Sequence, residues 1–208
     1  AETNHKNEAE KLNLAAAQTD GEILCFTAAN LKPVSKDWLK ELVSFAIQKE
    51  IGAVGARILS NNYRILHGGL IIGTKEIVSS AHRSFGSSEG GNVERNILPS
   101  NFSAVSVSCF CVRKNLFEEI GGFDAENLPN RFFDADFCLK LREKDYRIVF
   151  TPYAELVKIS EKKRLNFEEN PTVSENEYFV KKWKEALKND PFHNPNLSKK
   201  DGSFAIEI

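Results

Sequence analysis

The chain has 208 residues, 41% hydrophobic, 27% charged and 10% aromatic, a balance that suits one sizeable globular domain and excludes a disordered or fibrous chain. Lys and Arg number 28 against 29 Asp and Glu, and a net charge of -1 leaves no global field to hold a nucleic-acid backbone. No apolar run reaches the roughly 18 residues of a membrane span, and the polar stretch Ala1 to Glu10 does not read as a signal peptide, so a soluble chain is expected.

The four Cys (Cys25, Cys109, Cys111, Cys138) lie in apolar stretches without disulfide-framework spacing, which points to a reducing compartment and to buried thiols. Cys109 and Cys111, two apart on an alternating strand, share one face without being a metal pair. Met is absent even from position 1, so a processed, shortened or edited chain is expected.

In chain order, residues 7 to 19 predict a helix with Ala9, Leu12 and Ala16 on one face, stopped by Asp20-Gly21. Glu22 to Thr27 predicts a buried strand that ends at the turn Ala28-Ala29-Asn30. Ser35 is placed to cap an amphipathic helix carrying Trp38, Leu42, Val43, Phe45 and Ala46. Ile51 to Ser60 and Tyr63 to Ile72 predict a hairpin about Asn61-Asn62, and residues 84 to 100 a long polar loop of the kind that covers a site. Ser103 to Val112 alternates cleanly and predicts a strand over its whole length. A short helix from Asn115 to Ile120 ends at Gly121-Gly122, a second runs from Phe133 to Lys144, and Tyr146 to Thr151 is the last clear strand. A helix over Glu175 to Lys188 carries Phe179, Trp183 and Leu187 along one side, and the last 20 residues are expected to run over the surface. The division expected is an α/β body over 1–155 and a C-terminal helix and tail over 156–208 packing on it.

Alternating helices and strands favour a sheet covered on both faces, with ligands bound beyond the carboxyl ends of its strands. Two such places stand out: Ala28-Ala29-Asn30, which carries no charge, and Asp134-Ala135-Asp136, which puts two carboxylates at a helix start. Those carboxylates either complement the helix dipole or take a proton from an attacking hydroxyl, and the spacing leaves both readings open. His5, His67, His82 and His193 are scattered, which argues against zinc, and no phosphate-cradling glycine loop occurs.

Several blocks resemble glycosyltransferase family 2 in the right order: Gly21 to Phe26, Asp37-Trp38-Leu39, Ile51 to Ala56, His67-Gly68-Gly69 and Gly121-Gly122-Phe123-Asp124. Asp134 to Leu139 with Arg142-Glu143, Tyr146 to Val149, Thr151 to Ala154 and Asp190 to Ser198 continue the resemblance over nearly the whole chain. It implies a GT-A fold, a Rossmann-like mixed α/β sheet with helices on both faces, here without the opening strands that bind the nucleotide. Such a fold takes a nucleotide-sugar and a divalent metal, Mn or Mg, and passes the sugar to a glycan or lipid-linked acceptor hydroxyl. It also implies polysaccharide biosynthesis at a cytoplasmic site, peripheral to the membrane or free of it.

On the same resemblance, the metal-holding Asp-x-Asp falls on Ala28, Ala29 and Asn30, and a His-bearing segment falls on Val157 to Ser160, with Lys158 in place of a His. No cofactor is therefore expected to bind tightly. Lys158 is either a point charge standing in for the metal or a solvated lysine beside Lys162, Lys163 and Arg164. Asp134 matches the general base, with Asp136 its companion. Gly121, Gly122, Phe123 and Asp124 match the loop beside the sugar and acceptor pocket, unless they are a helix stop followed by a buried ring, and Arg164 is a further contact candidate. Three readings stay open: a weak or inactive transferase domain, an active one completed by an absent segment or a second copy, and a non-catalytic module that binds a glycan or a protein. Missing opening strands also imply an open sheet edge that pairs with another chain.

Overall fold

Helix α1 (Glu8–Ala17) starts where the Asn7 side chain accepts the Glu10 N–H at 2.8 Å, and it buries Ala9 and Ala16 as its spacing predicts. The structure, a computed structural model, describes residues 6–91, 94–159 and 173–206. Strands β1 (Ile23–Thr27) and β2 (Leu31–Pro33) follow, then helix α2 (Trp38–Ala46), strand β3 (Ile51–Leu59) and strand β4 (Ile65–His67), which turns back on β3 as the predicted hairpin. Strands β5 (Leu70–Thr74) and β6 (Ile77–Ser80) pair with each other as a two-stranded sheet, with one isolated bridge from Leu70 to Ala104. Strands β7 (Ser100–Asn101) and β8 (Cys109–Arg113) lead to helices α3 (Lys114–Ile120) and α4 (Phe133–Glu143), strand β9 (Arg147–Lys158), and helices α5 (Val173–Lys182) and α6 (Lys184–Lys188).

The main sheet has the order β1-β8-β3-β9-β2, with β4 beside β3 and β7 beside β9. Strands β1 and β3 both run antiparallel to β8, and β3 runs parallel to β9, so β1, β3 and β9 share one direction. Each face has its own core. On one, α2 lays Leu42 and Ala46 against Val54, Cys109, Cys111, Val149 and Leu156; on the other, α1, α3, α4 and α5 cover Ala53, Phe110, Val112, Ile148 and Phe150. Alternate residues of β3 and β8 thus serve opposite layers, as the pleat requires. Gly55 lets the layers close, because a Cβ there would lie 2.5 Å from Val105 Cβ.

Several sequence expectations need correction. The strand expected over Ser103 to Val112 begins only at Cys109. The Ser106 hydroxyl accepts the Ser108 N–H at 3.2 Å, and Asp134 accepts the Val107 N–H at 3.1 Å, so side chains take the backbone donors that a ladder would use. Ser35 does not cap α2; its Oγ accepts the Glu155 N–H at 2.9 Å, and Asp37 occupies the cap position without a side-chain bond. Strand β9 runs on to Lys158, with Pro152 to Ala154 bulged out between the pairs Ala56↔Thr151 and Arg57↔Glu155. The helix expected over Glu175 to Lys188 is two helices broken at Trp183.

The tail is not a surface strap. Asp190, His193, Leu197 and Phe204 are 2%, 3%, 8% and 4% exposed, because the tail covers the β5–β6 hairpin, which has no other sheet to bury its face. The backbone of Gly202 lies so near the hairpin that a Cβ would meet the Ser80 carbonyl oxygen at 1.9 Å. Arg57 binds the Ser87 and Asn96 carbonyls at 2.9 and 3.2 Å, which ties the polar loop over 84 to 100 to the sheet.

Candidate active site

Strand β1 ends at Thr27, and the chain reverses in a turn closed by the Leu31 N–H donating to the Ala28 carbonyl at 3.1 Å. The turn is tied to its surroundings on both sides. Ala28 N–H donates to the Ser108 carbonyl at 2.8 Å, and the Asn30 carbonyl accepts the Ile159 N–H at 3.0 Å. Because Leu31 pairs with Lys158, the lysine sits at the end of β9 one register step from Asn30.

Asp134 reaches the same place from the other side. Its Oδ2 accepts the Val107 N–H at 3.1 Å, and its Oδ1 accepts the Ala135 N–H at 2.9 Å. Residues 107 and 108 are therefore a bridge: the Val107 N–H binds Asp134 and the Ser108 carbonyl binds the Ala28 N–H. The turn at the carboxyl end of β1 is thus tied to Asp134 through residues 107 and 108 on one side and to the end of β9 on the other, and the carboxyl ends of the strands are where open α/β sheets bind ligands.

The start of α4 is held firmly. Phe132 adopts φ 60, a left-handed conformation that a bulky residue keeps only under constraint. Its ring stacks on Phe179 at 4.9 Å, and the buried Glu175 carboxylate accepts the Asn130 and Arg131 N–H groups at 2.8 and 3.1 Å. Helix α5 thus fixes the direction in which Asp134 leaves the helix.

Asp136 is fully buried, and its partners also come from the C-terminal helices. Trp183 Nε1–H donates to Oδ1 at 2.8 Å, Lys182 Nζ lies 2.6 Å from Oδ1, and Lys140 Nζ lies 2.9 Å from Oδ2 as an ion pair without hydrogen-bond alignment. Burial works against the charge on Lys182, but Asp136 outweighs it and holds the ammonium above its usual range. Sequence reasoning missed this network, although Trp183, whose indole N–H needs an acceptor when buried, was a usable signal. A cavity of about 580 Å³, lined by Leu139, Arg142, Lys182 and Lys184 among others, opens at the opposite end of α4 from Asp134.

The Gly121 to Asp124 segment divides. Gly121 caps α3 with φ 86, the Gly122 N–H donates to the Phe117 carbonyl at 2.9 Å, and Phe123 is 3% exposed among the rings of Phe26, Phe110, Phe117, Phe133 and Phe137. Asp124 reaches the surface beside Tyr178 and Lys182, with Tyr178 OH at 3.0 Å and Lys182 Nζ at 3.7 Å. Partial burial pulls against its charge, but the Asn127 N–H and amide and the Tyr178 hydroxyl hold its carboxyl below the usual range. Arg164 lies outside the described residues.

The donor set at the turn does not fit a hard divalent cation. Ala28 and Ala29 bring no side-chain ligand, the Asn30 carbonyl is already bonded to Ile159, and no cluster of three ligating side chains occurs among the described residues.

A second polar layer lies under the tail. Asp190 accepts Ser103 Oγ–H at 2.7 Å and Ile72 N–H at 3.0 Å, and Arg142 donates to Ser103 Oγ at 2.9 Å. The Phe204 ring lies between His82 and His193, with centroids 4.7 and 5.3 Å away. His82 is fully buried, and neither of its ring nitrogens has a hydrogen-bond partner among the described residues. Burial first, and Arg95 second, push its pKa down to about 4 from 6.5. The unfolded chain therefore takes up a proton on this ring as pH falls through 6.5, while the folded chain does so only near 4. Stability present above pH 6.5 should be lost across that window, by about 3 kcal/mol in all. Urea unfolding at pH 7 and 4.5 checks this: the loss should shrink in His82→Leu, and equal losses in both proteins would refute it.

No protein-family model matches the chain. An uncharacterized protein of Sinorhizobium fredii, y4gI, is 32% identical over 199 residues, covering 93% of this chain and 22% of that protein. The O-antigen biosynthesis protein RfbC of Myxococcus xanthus is 29% identical over 197 residues, covering 89% of this chain and 15% of its own. Among solved structures, mannosyltransferase PcManGT from Pyrobaculum calidifontis, in complex with GDP-Man and Mn2+, matches with a TM-score of 0.50 at 18% identity, over 78% of this chain and 39% of its own. GalNAc-T7 with UDP, GalNAc and Mn2+ matches with a TM-score of 0.62 at 14% identity, over 88% of this chain and 36% of its own. The chain thus spans under a quarter of the curated relatives and under two fifths of the solved chains. With its mixed sheet, its helices on both faces and these likenesses, the chain is built on the fold of the GT-A glycosyltransferases.

Proposed function

We propose that this chain is the acceptor-side part of a sugar-transferring domain, in which Asp134 takes the proton from an acceptor hydroxyl and the sugar comes from a nucleotide-sugar. One observation carries the reading: two successive residues, Val107 through its N–H and Ser108 through its carbonyl, tie the Asp134 carboxylate to the turn Ala28–Leu31 at the carboxyl end of β1. A base fixed beside the place where open α/β sheets take ligands is what proton abstraction needs. RfbC, by name an O-antigen biosynthesis protein, supports a glycan or lipid-linked glycan as the acceptor class. The open edge of β1 supports further strands from another segment or copy, which would bring the nucleotide-binding half.

The turn lacks acids, so the leaving diphosphate needs another counter-charge. Lys158, held beside Asn30 by the pairing with Leu31, supplies one as a point charge. Calorimetry with UDP or GDP should therefore give the same binding with manganese as with a chelator, and micromolar manganese-dependent binding would overturn this assignment. The direct test is nucleotide release from a panel of nucleotide-sugars in the presence of glycan acceptors and chelator.

The missing acids also favour a second reading, a glycan- or protein-binding module without turnover. Saturable glycan binding together with no nucleotide release under any condition would select it.

A further inference from the structure

Three of the four thiols stand together at the edge of the main sheet. The register of β1 on β8 sets Cys25 opposite Cys111 and Thr27 opposite Cys109, so all three sulfurs lie on the face covered by α2. Cys138 is elsewhere, buried in α4.

The ladder tells which kind of pair this is. Lys114 N–H donates to the Glu22 carbonyl, and Ala28 N–H donates to the Ser108 carbonyl, both at 2.8 Å. Hydrogen-bonded and non-bonded pairs alternate along an antiparallel ladder, so with Glu22 and Ala28 bonded, Cys25↔Cys111 falls on a non-bonded position. There the Cα atoms approach to about 4.5 Å and the side chains are at their closest. A disulfide needs roughly 4.4–6.8 Å between Cα atoms, so this pair can be joined without moving the backbone.

Access is equally specific. Strand β1 has no neighbour on its outer side among the described residues, and Cys25 is half-buried, whereas Cys109 and Cys111 are 1% and 0% exposed. A small oxidant therefore meets Cys25 first.

We propose that Cys25 and Cys111 are a reversible oxidation site, closed by a peroxide into a cross-strand disulfide that staples β1 to β8. The Cys25 thiolate sulfur attacks a peroxide oxygen; the S–O bond forms, the O–O bond breaks, and Cys25 becomes a sulfenic acid with release of water or an alcohol. The Cys111 sulfur then attacks the Cys25 sulfur; the S–S bond forms, the S–O bond breaks, and the thiol proton leaves with the oxygen as water. Two thiol sulfurs give up one electron each, and the peroxide takes both. Hydrogen bonds from Cys109 and Cys111 hold the Cys25 thiol below its usual range, while the same bonds and burial push both partners up, so Cys25 ionises first and is the attacking thiol. The staple would fix the strand that leads into the turn Ala28–Leu31.

The test is to treat the reduced full chain with hydrogen peroxide and read intact mass, free thiols and a non-reducing peptide map. Two of the four thiols should disappear with loss of two hydrogen atoms, the Cys25 peptide should be joined to the peptide holding Cys109 and Cys111, and dithiothreitol should reverse it. Cys109→Ala should still close, and Cys111→Ala should not. Oxygen added to Cys25 without a cross-link, thiols that react only in urea, or a cross-link that survives in Cys111→Ala would each overturn the proposal. Should Cys111→Ala fail to fold, fragmentation of the wild-type linked peptides assigns the partner, and Cys109 there would overturn it as well.

Discussion

Asp134→Asn is expected to lower the rate of sugar transfer by about 100- to 10,000-fold with the fold unchanged, the usual range for removing a general base. The substitution is well suited to the question. Asn keeps an oxygen that can accept the Val107 N–H, and it keeps the size and the place in the first turn of α4. Besides the capacity to take a proton, only the bond from the Ala135 N–H to the second oxygen is lost. Nucleotide release measured for both proteins with a confirmed acceptor decides it, and matched unfolding midpoints exclude a structural cause. Equal rates would remove Asp134 as the base, and silence from both proteins would favour the binding module.

Phe123→Ala should cost about 3–5 kcal/mol of stability, the range for emptying a buried aromatic position. Its ring lies 5.1–5.4 Å from those of Phe26, Phe117, Phe133 and Phe137, at angles of 62–77°. Edge-to-face contacts of this kind add to the area that the ring buries. Those neighbours come from β1, α3 and α4, so the cavity would sit where three elements meet and could not close by moving one of them. Urea unfolding gives the number. A loss below about 1 kcal/mol combined with a raised KM would instead make Phe123 a substrate contact.

Local signals made much of this legible. The glycine stop of α3, the spacing of Ala9 and Ala16, and the apolar run of β1 each depend on neighbours a few residues away, and each appears where the sequence puts it. Readings failed where a partner lies far along the chain. Ser35 looks like a cap because nothing local shows that it will meet Glu155 N–H, 120 residues away. The tail looks like a surface strap because Asp190 finds Ile72 N–H across 118 residues. Ser103 to Ser108 alternates as a strand should, yet its hydroxyls and Asp134 outcompete the ladder. At the candidate site, Asp134 and Ala28 to Asn30 were readable through family resemblance. The link between them through residues 107 and 108 was not, because a backbone N–H and carbonyl carry no sequence signal.

The dependence of the β5–β6 hairpin on the tail has a consequence for how the molecule opens. A two-stranded hairpin is marginal by itself in water. Here Ile72 N–H rests on Asp190, Lys75 N–H on the Lys199 carbonyl and His82 N–H on the Gly202 carbonyl. The three amides lie in or beside the hairpin, and all their acceptors lie in the tail. Release of residues 189–206 would therefore free them together, and the hairpin's face would lose its cover in the same event. In hydrogen exchange these amides should form one cooperative unit with a common opening free energy, below that of the β3–β9 core. A protease cut between Lys188 and Gly202 would therefore uncover the hairpin as well as free the tail, so the two stand or open as one.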